Sequence, residues 1–489
     1  MSDTAPAPVH LDAALEGLAE NPAVPAALIR RLLAHRQGFG HVAKRPDLTA
    51  DLIAEIIATD YHWLLHSLAL NRHLPNDARL RLAEHRDSSV RAALVVGAHD
   101  APRELFARLV DDPDKRVREC LAEKDHVPTD LRARLAGDPD PEIRATLAEW
   151  WPQAPEKVRR ILLADPVDRV RAAACSTYYR RRPHPVPPAD LIPDLLADPV
   201  TRAGVVRHLS LTAETALRLT EDPDNQVRRQ LAEHPQLSPD LRDRLAEDPS
   251  ASARIGVFAR PDTSEPLRER IYAELRQGAE PLTALWVEGL DEVTFARKVE
   301  NAFAVTELTY LHLPWVTADP LPHVSSPYVC FRNSAAYSQE LPRDAVLRLL
   351  DDEESLVRTT MARTSPHLVD LATAERIDRE HRSEKKERWR PADIFTFPTE
   401  TLRRFATDPD PRMRVLAPRD ADLPAELAER LADDPDSSVR EVIAPHPRLP
   451  ARALITLLAD ESESVTRAAA ASPSLPVAEM ERLLVLAGL

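Results

Sequence analysis

Apolar residues in this chain come in pairs one helical turn apart, and prolines fence the pairs off. Val227 and Leu231 stand at i,i+4, as do Leu241 and Leu245, with Pro235 and Ser238-Pro239 between them. That spacing puts each pair on one face of a short helix. Proline lacks a backbone donor and clashes with the preceding turn, so it ends a helix or occupies its first position. The chain has 45 prolines against 10 glycines, and no stretch alternates apolar with polar residues. The pattern therefore predicts many short helices, two per repeating unit, and no sheet.

The units announce themselves through a recurring phrase, acid-Pro-acid-x-x-Val-Arg. It reads Asp112-Pro113-Asp114-Lys115-Arg116-Val117-Arg118, and again Asp138-Pro139-Asp140-Pro141-Glu142-Ile143-Arg144. Later copies start at Asp222, Asp408 and Asp434. The apolar residue before the arginine falls at Val90, Val117, Ile143, Val170, Val227, Ala253, Val357, Met413, Val439 and Val465. The steps are 27, 26, 27, 57, 26, 104, 56, 26 and 26 residues, so the longer gaps are whole periods with small insertions. Leu64 lies 26 residues before Val90, Phe331-Arg332 lies 26 before Val357-Arg358, and Leu18-Ala19-Glu20-Asn21-Pro22 echoes Leu231-Ala232-Glu233-His234-Pro235. About 18 such units cover nearly the whole chain, and a period of this length means a stacked array. Within a unit, the aspartate before proline is expected to be the N-cap, with proline at the first helical position.

The fold expected is an all-α solenoid. It divides into a flexible stretch 1–10 and a single continuous array 11–489, irregular at 178–188 and 279–330 and with an insertion at 374–400. The unit Leu-Ala-x-Asp-Pro-x-x-x-Val-Arg-x-x-Leu-Ala-x-x-Pro-x-Leu-x-x-x-Leu resembles the leucine-rich repeat variant family. That resemblance implies alternating α and 3₁₀ helices in a right-handed superhelix. The phrase is also similar to HEAT-like repeats, in which aspartate and arginine form a ladder between neighbours. Some members of the first family carry a cysteine-rich iron–sulphur module. Here Cys120, Cys175 and Cys330 share no CxxC spacing, so no cluster, cofactor or metal is expected.

Charge narrows the field further. A net charge of −15 is spread along the array, which keeps an extended protein soluble and repels nucleic acid on average. Only seven of the basic residues are lysine. No basic segment followed by an apolar run opens the chain, and no run reaches the ~18 apolar residues that a membrane span needs. A cytoplasmic monomer is the expectation.

Five groups of residues are candidates for chemistry. Arg91, Arg118, Arg144, Arg171, Arg228, Arg254, Arg332, Arg358, Arg414 and Arg440 form a line that could clamp phosphates. Each also has acids nearby. Asp112, Asp138, Asp222, Asp408 and Asp434 precede their arginines by six residues, and Asp114, Asp140, Asp224, Asp410 and Asp436 by four. Bidentate pairing across units is the reading the residues favour. Tyr178, Tyr179, Arg180, Arg181 and Arg182, followed by Pro183-His184, set two aromatics beside three arginines, a combination suited to bases or acidic peptides. His62 and His66 stand one turn apart but lack a third ligand. The region 279–330 holds Trp286, Phe295, Phe303, Tyr310 and Trp315, anchors of the kind found at interfaces. A charge run from Arg382 to Arg390 includes Trp389.

No glycine-rich phosphate loop and no Gly-x-Ser-x-Gly occurs. The function expected is a non-enzymatic scaffold that binds a protein or peptide partner on the concave face of the solenoid. Nucleic-acid binding in a groove like that of HEAT-like DNA glycosylases is a second reading. A third, an accessory to a redox or metal enzyme, rests on the family resemblance alone.

Overall fold

A computed structural model describes residues 8–35, 40–177, 183–277, 291–381 and 390–489. The described residues form helices and connecting turns, with no strand among them. They gather into two compact units: residues 1–143 together with 397–489, and residues 144–396. No described helix is long and apolar enough to cross a membrane.

One repeat from the second unit shows how the phrase folds. The helix Asn225–Ala232 opens after Asp224, whose carboxylate accepts the Gln226 amide at 2.8 Å. Val227 and Leu231 are fully buried on its inner face. His234-Pro235 ends it, and Pro239–Ala246 follows with Pro239 at its first position. The next unit begins at Ser250, which caps Ala251–Phe258. Burying a side chain such as Leu231 or Leu245 contributes about 1.5–3 kcal/mol over leaving it in water, and each unit supplies several.

The caps are not where the phrase suggested. The second acid of the phrase, not the first, is the N-cap: Asp114 accepts from the Arg116 amide, Asp140 from Glu142, Asp410 from Arg412 and Asp436 from Ser438, each at 2.9 Å. Where a further proline follows that acid, as at Asp140-Pro141 and Asp410-Pro411, the proline opens the helix as expected. Pro113 therefore precedes the helix Lys115–Glu123 rather than opening it. The aspartate before proline is otherwise engaged. Asp112 Oδ1 accepts the Asp114 amide at 2.9 Å, a side-chain turn that leaves its second oxygen for a neighbouring unit.

First helices of successive units lie against one another. Ala251–Phe258 packs on Asn225–Ala232, and Lys115–Glu123 on Ser88–Gly97. Close approach needs small residues. A Cβ on Gly256 would meet Ala232 Cβ at 2.9 Å and the Arg229 carbonyl oxygen at 3.1 Å.

Within the first unit the same packing joins the two ends of the described chain. The helix Leu11–Glu20 lies on Glu463–Ala471. Gly17 stands in the register position of Gly256, and a Cβ there would lie 2.1 Å from the Arg467 carbonyl oxygen. Glu20 holds Arg467 at 2.5 Å, and His10 Nε2 reaches the Glu461 carbonyl at 2.8 Å. His10 is thus tied down by a carbonyl, although the sequence placed it in a flexible stretch; residues 1–7 lie outside the described residues.

Candidate functional site

The arginine line is a ladder of ion pairs. Arg118 sends Nε to Asp138 Oδ2 at 2.7 Å, and its Nη1 to the carbonyl of Asp112, six residues back, also at 2.7 Å. Arg91 grips Asp112 in the same fork, Arg144 grips Asp165, and Arg171 reaches Asp198. Arg228, Arg332, Arg414 and Arg440 hold Asp248, Asp352, Asp434 and Asp460. Each guanidinium thus takes the aspartate of the following unit, while in Arg91, Arg118, Arg171, Arg228, Arg332, Arg414 and Arg440 a carbonyl six residues back fixes its third edge. Arg254 and Arg358 meet glutamates instead, Glu274 at 3.6 Å and Glu380 at 3.2 Å.

These pairs are sunk into the stack. In the Arg228–Asp248 rung the side chains are 12% and 6% exposed. Burial opposes ionisation of Asp165, Asp198 and Asp460, yet their arginines and capping amides hold all three below the usual carboxylate range. In the same way Asp138, through hydrogen bonding, raises Arg118. One rung escaped the phrase altogether. Arg202 Nη1 donates to Asp222 Oδ2 at 2.7 Å, but Thr201 stands before it in place of the usual valine.

A second ladder has no fixed residue type, which is why the sequence hid it. Asn71 Nδ2 donates to the Ala43 and Arg45 carbonyls at 2.9 and 2.8 Å. Arg45 Nη1 donates to the Asn21 carbonyl at 2.6 Å, and Arg260 Nη1 to the His234 carbonyl at 2.6 Å. His446 Nε2 reaches the Asp420 carbonyl at 3.0 Å. Asparagine, arginine and histidine share only the job of donating to the previous unit's last turn, whose carbonyls lack helical partners. The one available signal was a polar residue recurring directly before proline, as in Asn21-Pro22, Arg45-Pro46, His234-Pro235 and His446-Pro447.

The aromatic region divides into an inward and an outward set. Trp315 donates its indole N–H to the Ala259 carbonyl at 2.9 Å and sets its ring edge-on to Phe331 at 5.5 Å. Phe258, Tyr272, Tyr328 and Phe331 complete that cluster, with the Arg268 guanidinium 5.0 Å above Phe331. Trp315 is therefore a packing residue, half-buried among rings.

The outward set lies on the helix Glu292–Tyr310, 19 residues long. Its inner face buries Ala304 and Leu308. Glu300 accepts the Ser250 hydroxyl at 2.5 Å and the Ser252 amide at 2.8 Å, and Glu307 pairs with Arg229. On the opposite face Phe295, Phe303 and Tyr310 are 39, 51 and 64% exposed. At spacings of eight and seven residues they share one stripe.

The remaining candidates resolve as follows. Tyr178, Tyr179, Arg180, Arg181, Arg182, Trp286 and Trp389 lie outside the described residues. The far edge of the charge run is anchored, because Arg390 and the Ala392 amide both bond to the fully buried Asp378. His62 Nδ1 pairs with Asp87 at 2.6 Å, and no group of three or more histidine, cysteine or acidic side chains among the described residues could hold a metal.

No family model and no curated protein matches the chain. Among solved structures, an engineered protein determined by the Northeast Structural Genomics Consortium aligns at 15% identity over 93% of this chain and 98% of its own. Its TM-score is 0.12, and a likeness of that degree carries no argument.

Proposed function

We propose that this chain is a non-enzymatic, cytoplasmic helical-repeat scaffold of the leucine-rich repeat variant kind, and that it binds an amphipathic helix of a protein partner. One observation carries the reading: the stripe of Phe295, Phe303 and Tyr310 on Glu292–Tyr310. That helix buries Ala304 and Leu308 on its inner face, while its aromatics leave 39, 51 and 64% of their surface in water, area that only a partner could cover. Exposed aromatics in a row are the anchors that helix-binding surfaces use. The ladder supports the same reading from the other side. Each guanidinium that would have met nucleic-acid phosphates instead holds a carboxylate of the next unit.

The test is photo-crosslinking in the native cell. A photoreactive residue at position 303 is expected to give a discrete protein adduct. The same residue at position 86, where the arginine side chain is 81% exposed, is expected to give none. Tyr310→Asp is expected to abolish the adduct. Equal crosslinking at both positions, or none at 303, would sink the proposal.

A further inference from the structure

The second unit contains a cavity lined by basic side chains, with no acid among the described residues of its wall. Its apolar lining includes Trp151, Leu162, Leu163, Pro185 and Pro187. Arg159, His184, His208, Cys175 and Gly204 also line it. It has about 20 Å³ of room for a small group, more than the roughly 10–15 Å³ that one water requires.

Arg207 is not a lining residue, but it directly precedes His208, which is. Its positive charge is felt at His184, His208 and Cys175. Unlike the ladder arginines it has no carboxylate partner among the described residues, and its buried Nε has no hydrogen-bond acceptor among them. Arg159 also has no carboxylate partner among the described residues; its Nη1 donates to the Pro185 and Val186 carbonyls, at 3.4 and 3.2 Å. Asp198, an acid near enough to act on Cys175, is held by Arg171 at 2.7 Å. In a chain of net charge −15, this is a local excess of positive charge in a partly dry place.

Such an arrangement is costly without an anion, since a desolvated cation needs a counter-charge. The cost is visible in the histidines. Burial, then the charges of Arg207 and Arg159, push His184 down to about 4, and burial followed by Arg207 lowers His208. Both imidazoles are thereby kept neutral at pH 7 and able to donate one hydrogen bond each.

We propose that this cavity binds a small organic carboxylate, its oxygens at Arg159, His184 and His208, with Arg207 next to His208 adding positive charge, and its apolar remainder against Trp151 and the leucines. The apolar wall of Trp151, Leu162 and Leu163 suits a short alkyl tail, which inorganic phosphate lacks. The cationic groups suit the head. This site is separate from the aromatic stripe and stands whether or not a protein binds there.

Binding is to be measured on the full chain by calorimetry and by NMR of the histidine ring protons, with sodium propionate as the probe and inorganic phosphate and chloride as comparisons. Saturable propionate binding is expected, together with a rise in the His184 titration midpoint as the bound anion offsets its cationic neighbours. Arg207→Gln should weaken binding about threefold or more, through the loss of a nearby positive charge. Its Nε has no partner to lose among the described residues, so thermal unfolding of that variant should be unchanged. Should it nevertheless fail to fold, His184→Gln and the wild-type His184 titration still decide. An unmoved His184 midpoint, undiminished binding in Arg207→Gln, or equal binding of phosphate would each overturn the proposal.

Discussion

Asn21 Nδ2 donates to the Ser472 carbonyl oxygen at 2.6 Å across 451 residues, just as Asn71 donates to the Arg45 carbonyl at 2.8 Å across 26. The second contact joins neighbouring units of the array. The first makes the helix Leu11–Glu20 the neighbour that follows Glu463–Ala471. The joint repeats the internal pattern down to the glycine, with Gly17 on the Arg467 carbonyl as Gly256 is on Arg229.

That joint can be broken selectively. Gly17→Val is expected to lower the stability of the first unit, because its Cβ would sit 2.1 Å from a backbone oxygen that a helix holds in place. Overpacking of this kind costs typically about 1–3 kcal/mol, and a clash with backbone belongs at the upper end. Gly137→Ala is the control, since nothing lies within 4 Å of a Cβ there. Urea unfolding of the two variants should separate them; equal midpoints would mean the joint is open in solution.

The ladder predicts a contrast between buried and surface pairs. Arg228→Ala strands the buried Asp248 and leaves the Asp222 carbonyl without its donor, so a loss of about 2–3 kcal/mol is expected. Arg103→Ala removes a pair whose side chains are 58 and 64% exposed, and no measurable change is expected. Calorimetric melting of both variants checks the difference.

Acid should act in two stages. His184, His208, His234, His312 and His323 are all lowered by burial, so the folded state resists protons that the unfolded state accepts. Stability from these groups is present above pH ~6.5 and fades as pH falls from there toward 4. Carboxylates come next. Burial opposes it, but hydrogen bonds from His62 and Ser89 hold Asp87 at about 2, and Asp165, Asp198 and Asp460 are lowered too. A depressed carboxylate stabilises above its unfolded value, so this part is lost as pH falls from about 4 toward 2. Melting temperatures from pH 8 to pH 2 should decline in both windows; a flat profile down to pH 4 would refute the histidine part.

The thiols should be sluggish. Burial pushes Cys175 and Cys330 up to about 12 and Cys120 to about 11, leaving almost no thiolate at neutral pH. An aromatic disulfide reagent at pH 8 should label the native protein slowly, Cys120 first because it is the least buried. Denaturant should release all three at once.

Much of this was written in the chain. Val227 and Leu231 at one turn's spacing, followed by Pro235, specify a short helix with one buried face, and the same arrangement recurs through the units. Arg228 and the aspartate ahead of each proline were legible as partners, because a guanidinium and a carboxylate repeating in step must meet somewhere. Two details were not. The phrase fits a cap at either acid, and only the turn that Asp222 makes onto the Asp224 amide, at 3.0 Å, shows which of them is free for a rung. Arg202 was lost because Thr201 took the place of an apolar residue, its hydroxyl satisfied by the Leu195 carbonyl at 2.7 Å.

The sequence by itself determined the repeat, the helices and the pairing of arginine with aspartate, since these follow from local periodicity and from charges a fixed distance apart. Tertiary structure alone decided the rest. It brought Asn21 to Ser472, turned Trp315 inward and Phe303 outward, and set Arg207 by His184 with no acid partner among the described residues. Those outcomes depend on which surfaces meet after the units stack, and a one-dimensional period carries no information about a neighbour hundreds of residues away.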